Sequence, residues 1–232
     1  MAPIDVIAFD ADDTLWHNER NFYETQERFR DLLRPYHPDD WIEKKLYETE
    51  MRNLAHFGYG VKGFTLSMIE TAIELTEGRI TGAEVSALLA MGKEMLARPV
   101  EVLPGVEEAV KALADDGFAL MVITKGDLFD QETKVARSGL GGHFRAVEIV
   151  SEKDEAAYAR VLARHGVAPE RFLMVGNSVK SDILPVLALG GRAVHIPYAI
   201  TWAHEHVEAA VESDRFARLE RISELPAYVR SL

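Results

Sequence analysis

Five short apolar runs punctuate the chain: Ile4 to Phe9, Phe118 to Ile123, Ala146 to Val150, Phe172 to Val175 and Ala193 to Ile196. None follows a strict polar–apolar alternation, as expected of strands buried on both faces of a parallel sheet. Helical spacing fills the intervals between the last four, over Leu128 to Ser138, Asp154 to His165 and Ser181 to Leu189. Gly139, Gly166 and Gly190 follow these segments, where a left-handed C-terminal cap favours glycine. The interval between the first and second runs differs. It holds only amphipathic helical segments, near Asn21 to Leu33, Pro38 to His56, Phe64 to Leu75 and Gly82 to Ala97, with apolar residues three and four apart. Leu103-Pro104-Gly105 then opens a helix, Val106 to Ala114, that leads into the second run. This pattern predicts an α/β fold, a Rossmann-like three-layer core with a parallel sheet formed by residues 1–15 and 99–232, with an inserted α-helical subdomain at 16–98. Val207 to Leu232 reads as amphipathic helix.

Composition narrows the classes. The 232 residues are 47% hydrophobic and 28% charged, ordinary for a globular chain. Lysine and arginine number 26 against 38 acids, a net charge of −12 with no basic patch, which disfavours nucleic acid and anionic lipid as partners. The absence of cysteine removes disulfides, thiolate metal sites and cysteine nucleophiles, and suits a reducing cytoplasm. Met1 to Asp5 lacks the basic start and apolar stretch of a signal peptide, and no apolar run approaches the ~20 residues of a membrane span. The expectation is a soluble cytoplasmic protein, monomer or homodimer, with neither membrane nor nucleic acid as a partner.

Ligands of open parallel sheets bind beyond the carboxyl ends of the strands, so the residues following each run carry the functional information. Asp10-Ala11-Asp12-Asp13-Thr14 follow the first run and Thr124-Lys125-Gly126-Asp127 the second. Ser151-Glu152-Lys153 follow the third, and Gly176-Asn177-Ser178 the fourth, with Asp182 one turn further on. Taken singly each group has a plainer reading: an acidic run is often a helix cap, Thr124 a strand-end hydroxyl and Lys153 a surface lysine. Together they aim carboxylates, an amide, hydroxyls and a lysine at one crevice.

The DADDT run at Asp10 to Thr14, Thr124, Lys153 and the GNSVKSD run at Gly176 to Asp182, in that order, resemble the haloacid dehalogenase-like hydrolase superfamily. Its members are mostly Mg²⁺-dependent phosphatases with a helical cap inserted between the first and second motifs. The resemblance implies a catalytic set of Asp10, Asp12, Thr124 and Lys153. Asp10 would be the nucleophile that forms an aspartyl-phosphate, and Asp12, two positions on, the acid and base. Thr124 and the backbone near Lys125 would hold the phosphoryl group of a small phosphorylated substrate, and Lys153 would keep Asp10 ionised. Mg²⁺ would be held by Asp10, the Asp12 carbonyl, Asn177 and Asp182. Asn177 departs from the aspartate usual at that position and removes one formal charge from the metal site.

Substrate selection in this superfamily comes from the cap. Trp16 lies beside the first motif, and the glycine-rich stretch from His56 to Phe64 offers Tyr59 as a stacking face and Lys62 as a cation. Two other readings remain open. A metal-independent dehalogenase would use the first aspartate on a carbon–halogen bond and lack an acid at position 12, and a non-catalytic protein on this fold would bind phosphate without turnover. His204-Glu205-His206-Val207-Glu208 lacks the HExxH spacing of a zinc helix and reads as helix surface.

Overall fold

The computed structural model describes residues 4–200, 202–205 and 211–232. It divides into two compact units, one of Met1–Glu19, Val100–Lys125 and Gln131–Leu232, the other of Arg20–Pro99 and Gly126–Asp130.

The first unit is a six-stranded parallel sheet: β1 (Val6–Phe9), β2 (Ala119–Lys125), β3 (Phe144–Val150), β4 (Phe172–Gly176), β5 (Arg192–His195) and β6 (Phe216–Arg218), in the order β3-β2-β1-β4-β5-β6. Alternate side chains of the same strands feed two different cores, which explains their near-continuous apolar sequence. Ile7, Phe9, Val122 and Val175 pack with Val106, Val110 and Leu113 of α5 (Val106–Asp115), Val135 of α6 (Leu128–Arg137) and Val229 of α9 (Leu225–Arg230). Ala8, Met121, Ile123 and Met174 pack with Tyr158, Val161 and Leu162 of α7 (Glu155–His165) and Val186 of α8 (Leu184–Ala188). Helices therefore cover both faces, and the three-layer α/β architecture expected from the sequence is present.

Two local departures matter. Residues 207–210 lie outside the described residues, and over 211–232 the C-terminal stretch is not simply helical: β6 adds a sixth strand, followed by α9. Three residues are too few to show a period, and an edge strand needs no long apolar run. The helix expected over Ser181 to Leu189 is split into a π-turn at Val179–Ile183 and the short α8. Pro185 supplies the reason, because it has no N–H for the Ser181 carbonyl. That carbonyl accepts the buried Tyr158 hydroxyl instead, at 3.0 Å.

The second unit contains α1 (Glu19–Leu33, from Arg20 onward), α2 (Asp39–Phe57), α3 (Val61–Leu75) and α4 (Gly82–Ala97). Phe29, Leu33, Ile42, Leu46, Phe64, Met68, Leu88 and Met91 form its core. Thr81 and Glu84 make a reciprocal capping box at the start of α4. Gly92 is required by close packing, since a Cβ there would lie 2.2 Å from Thr65 Oγ1.

Burial pushes the Glu50 carboxyl of α2 up to about 8 from its ordinary 4.5. The folded chain thus keeps a proton that the unfolded chain releases above pH 4.5, so stability falls as pH rises from about 4.5 through 8. Glu50→Gln is expected to remove this slope and to stabilise by on the order of 4 kcal/mol at pH 8, against ~1 kcal/mol or less at pH 5. Thermal melts at both pH values measure it, and an equal gain at both would contradict the assignment.

Candidate active site at the strand ends

The chain runs outward from β1 through β2 to β3, then returns to the other side of β1 as β4. Such a reversal opens a crevice between neighbouring loops, here at the carboxyl ends of β1 and β4. Asp10 follows β1 and is buried, its backbone N–H bonded to the Val175 carbonyl at 2.9 Å. Lys153, beyond β3, is also buried and bridges two carboxylates: it bonds to Asp10 Oδ1 and, at 2.7 Å, to Asp182 Oδ1. Burial pushes the Asp10 carboxyl well above the usual carboxylate range; Lys153 pulls it back, while Asp182 adds to the rise. Burial alone would discourage the Lys153 charge, but Asp10 and Asp182 hold its pKa above the ordinary value.

Asp182 is fully engaged. Its second oxygen accepts the Ser178 N–H at 3.0 Å, and the carboxylate lies directly against Gly176, where a Cβ would come within 2.2 Å of Oδ2. Glycine at the end of β4 is therefore a space requirement of the site. Asn177 sits at the mouth of the same turn. The Thr14 hydroxyl lies 3.2 Å from Asn177 Oδ1 and 3.4 Å from Asp10 Oδ2, so these two oxygens face a common point. His195, at the end of β5, donates from Nε2 to the Asn177 carbonyl at 3.0 Å and braces this loop.

This donor set fits a divalent cation. Its oxygens are hard ligands, and the single Lys153 ammonium faces both Asp10 and Asp182, leaving negative charge for a cation to offset. Among the described residues no group of three or more histidines, aspartates and glutamates forms a ready metal cage. A Mg²⁺ ion here would take Asp10 Oδ2 and Asn177 Oδ1 and complete its shell with backbone and water oxygens.

The acidic run after β1 divides its labour. Asp12 turns to α6: its Oδ1 accepts the Trp16 indole N–H at 2.8 Å, its Oδ2 the Gln131 amide at 2.8 Å, and Lys134 lies 2.7 and 2.9 Å from the two oxygens. Asp13 is the helix cap of the plainer reading. Its carboxylate accepts the N–H groups of Asn18 and Glu19 at 2.8 to 3.1 Å, and its backbone adopts φ 62°. A left-handed aspartate at this point is local strain held by the cap it makes.

Thr124 is buried at the end of β2, its hydroxyl bonded to the Lys125 carbonyl at 3.3 Å. Lys125 forms an ion pair with Glu205 at 2.5 Å. The expected substrate role of Trp16 needs correction: the ring is fully buried in the core, so it offers no face to a substrate, and its indole N–H donates to Asp12. The loop expected from His56 to Phe64 is also shorter. Helix α2 runs to Phe57 and α3 begins at Val61, so only residues 58–60 join them, with Gly58 and Gly60 at positive φ. Tyr59 lies in that link, half-buried. Lys62 is helical and pairs with Asp127 at 2.9 Å, within the second unit.

Sequence reasoning missed Gln131, Lys134, Thr14 and Glu205. The first two were within reach, since residues three apart on a helix share a face and α6 directly follows the second motif. Glu205 carried no such signal. The HEHVE reading as helix surface is corrected for Glu205, which is largely buried; residues 206–208 lie outside the described residues.

The parallel sheet with helices on both faces places these acids at its switch point, where open α/β folds bind their ligands. Residues 4–190 match the haloacid dehalogenase-like hydrolase family, and the chain belongs to it. It is 45% identical to a haloacid dehalogenase-like family hydrolase from Xanthomonas campestris, with a TM-score of 0.89 over 98% of this chain and 91% of that one. It is 32% identical over 142 residues to the glyceraldehyde 3-phosphate phosphatase of Methanothermobacter thermautotrophicus, covering 56% of this chain and 62% of that protein, so it spans less than two thirds of the curated relative's length. The L-2-haloacid dehalogenase of Xanthobacter autotrophicus, 19% identical with a TM-score of 0.65 over 99% of both chains, shares the fold.

Proposed function

We propose that this hydrolase is a Mg²⁺-dependent phosphatase that cleaves a small phosphorylated metabolite through an aspartyl-phosphate on Asp10, with the helical unit as its cap. The observation that carries the reading is the pairing of a lysine-held, buried Asp10 with a second carboxylate, Asp12, on the same loop. The phosphatase named among its relatives supports it.

In this mechanism Asp12 first takes up a proton from solvent; Asp10 attacks phosphorus, the bond from phosphorus to the ester oxygen breaks, and Asp12 gives that proton to the departing alkoxide. Asp12 then takes a proton from the water that attacks the phosphoryl group, which frees Asp10. To do so Asp12 has to exchange the Lys134 contact on one oxygen for the leaving group. Lys153 keeps Asp10 in the attacking, ionised form, and Thr124 and the backbone near Lys125 bind phosphoryl oxygens. Asp10 and Asn177 would hold Mg²⁺, which supplies positive charge to offset repulsion between phosphate and carboxylates. Asp182, with both oxygens engaged, acts from behind by fixing Lys153. Tyr59 and Lys62 are proposed to select among phosphate esters.

A dehalogenase reading draws on the shared fold alone, and Asp12 argues against it. Release of inorganic phosphate from p-nitrophenyl phosphate, set beside release of chloride from 2-chloropropionate, separates the two. Phosphate without chloride is expected, and chloride without phosphate would overturn the proposal.

A further inference from the structure

Glu205 stands in a short 3₁₀ turn, Ala203–Glu205, beyond β5. Its carboxylate gathers three donors. Oε1 accepts from Lys125 Nζ at 2.5 Å, and Oε2 accepts from the Ser178 and Ser181 hydroxyls, each at 2.5 Å. Lys125 also donates to Ser181 Oγ at 3.0 Å, and Ser178 Oγ accepts the Ser181 N–H at 3.0 Å, so the cluster is closed on itself. A second tie anchors the turn, because Lys180 Nζ donates to the His204 carbonyl at 2.9 Å.

The placement of these partners gives the cluster its meaning. Lys125 ends β2 and the two serines follow β4, and those strands flank β1 on either side. One carboxylate therefore spans the end of the strand that carries Asp10. Ser178 is next to Asn177 and donates its N–H to Asp182, which in turn holds Lys153 against Asp10. The contacts run without a break from Glu205 to the nucleophile. An exposed ion pair would do little here, but Lys125 and Glu205 are each only 14% exposed at the side chain. Burial would push the Glu205 carboxyl up, and Lys125 with the two hydroxyls instead brings it down to about 2, so it remains an anion throughout the working pH range.

We infer that Glu205 is a positioning residue of the phosphate site: its carboxylate clamps Lys125 to the Ser178–Ser181 turn and so sets the spacing between the phosphoryl-binding end of β2 and the Asn177 loop. The inference rests on the phosphatase reading. Without the clamp the end of β2 is no longer held at its distance from the Asn177 loop, and phosphate is bound less well.

Glu205→Gln keeps the size of the side chain and an acceptor for the hydroxyls but removes the charge that Lys125 meets. Its KM for p-nitrophenyl phosphate is expected to rise about tenfold, the scale of loss seen when an outer partner of a site is removed, with kcat reduced much less. Lys125→Met should weaken binding as well, and the double variant should be no worse than Lys125→Met alone. A purely structural role would lower kcat through loss of folded enzyme and leave KM unchanged. That result, or losses that multiply in the double variant, would overturn the inference. Thermal melts of the same four proteins give a readout that needs no turnover: the two substitutions are expected to be strongly non-additive, and additive shifts would overturn the clamp. A wild type that hydrolyses no phosphate ester would count against the phosphatase reading, while the melts still judge the clamp.

Discussion

Lys153→Met is expected to lower stability by about 3 kcal/mol, which for a chain of this size is about 6–12 °C in melting temperature, and to reduce turnover by at least ~10³-fold. The side chain is buried, and two carboxylates depend on it. Methionine preserves its volume and removes only the charge, so the variant isolates the electrostatic loss. Truncating one member of a buried charge cluster costs far more than an exposed pair, because the remaining charges stay desolvated without a partner. With the lysine gone, Asp10 loses the contact that keeps its carboxyl ionised, and the nucleophile is disabled before any substrate arrives. Thermal melts and steady-state kinetics measure the two effects. A melting temperature within 2 °C of wild type would contradict the charge arrangement described here.

Gly176→Ala follows as the second large effect, and it tests space rather than charge. The added Cβ would stand 2.2, 2.3 and 2.6 Å from Oδ2, Cγ and Cβ of Asp182, all far inside van der Waals contact. Asp182 cannot withdraw without releasing Lys153 and the Ser178 N–H. The variant is expected to lose about 2–3 kcal/mol of stability, the usual range for overpacking. Turnover should fall about 100-fold, since Lys153 and Asn177 both shift with the turn. Wild-type kinetics in a folded Gly176→Ala protein would show that Asp182 has freedom to move, against this description of the β4 end.

The contrast between these residues explains how far the sequence could be read. β1, β2, β4 and β5 were legible because each is largely buried and leaves a compact apolar run, while β3 at the sheet edge is only half-buried yet still carries the run Ala146 to Val150. β6, only Phe216–Arg218, left none. Asp10, Thr124, Lys153, Asn177 and Asp182 were singled out by their positions at or beyond strand ends, which depend on chain order alone. What they touch depends on three-dimensional packing. Asp13 looked like its neighbours in sequence but caps α1, and the π-turn that presents Asp182 follows from a missing N–H at Pro185. Trp16 was misread because an aromatic beside a catalytic loop can face either the substrate or the core, and here hydrophobic burial decides. Glu205 was out of reach, since its partners lie 24, 27 and 80 residues away in the chain.

The most direct test of the proposed chemistry is hydrolysis of p-nitrophenyl phosphate by the wild type and by Asp10→Asn, each with Mg²⁺ and with EDTA. Metal-dependent turnover in the wild type, abolished by EDTA and absent from a folded Asp10→Asn protein, is the predicted result. Turnover that persists in Asp10→Asn, or that is indifferent to EDTA, would contradict an aspartyl-phosphate mechanism at this site.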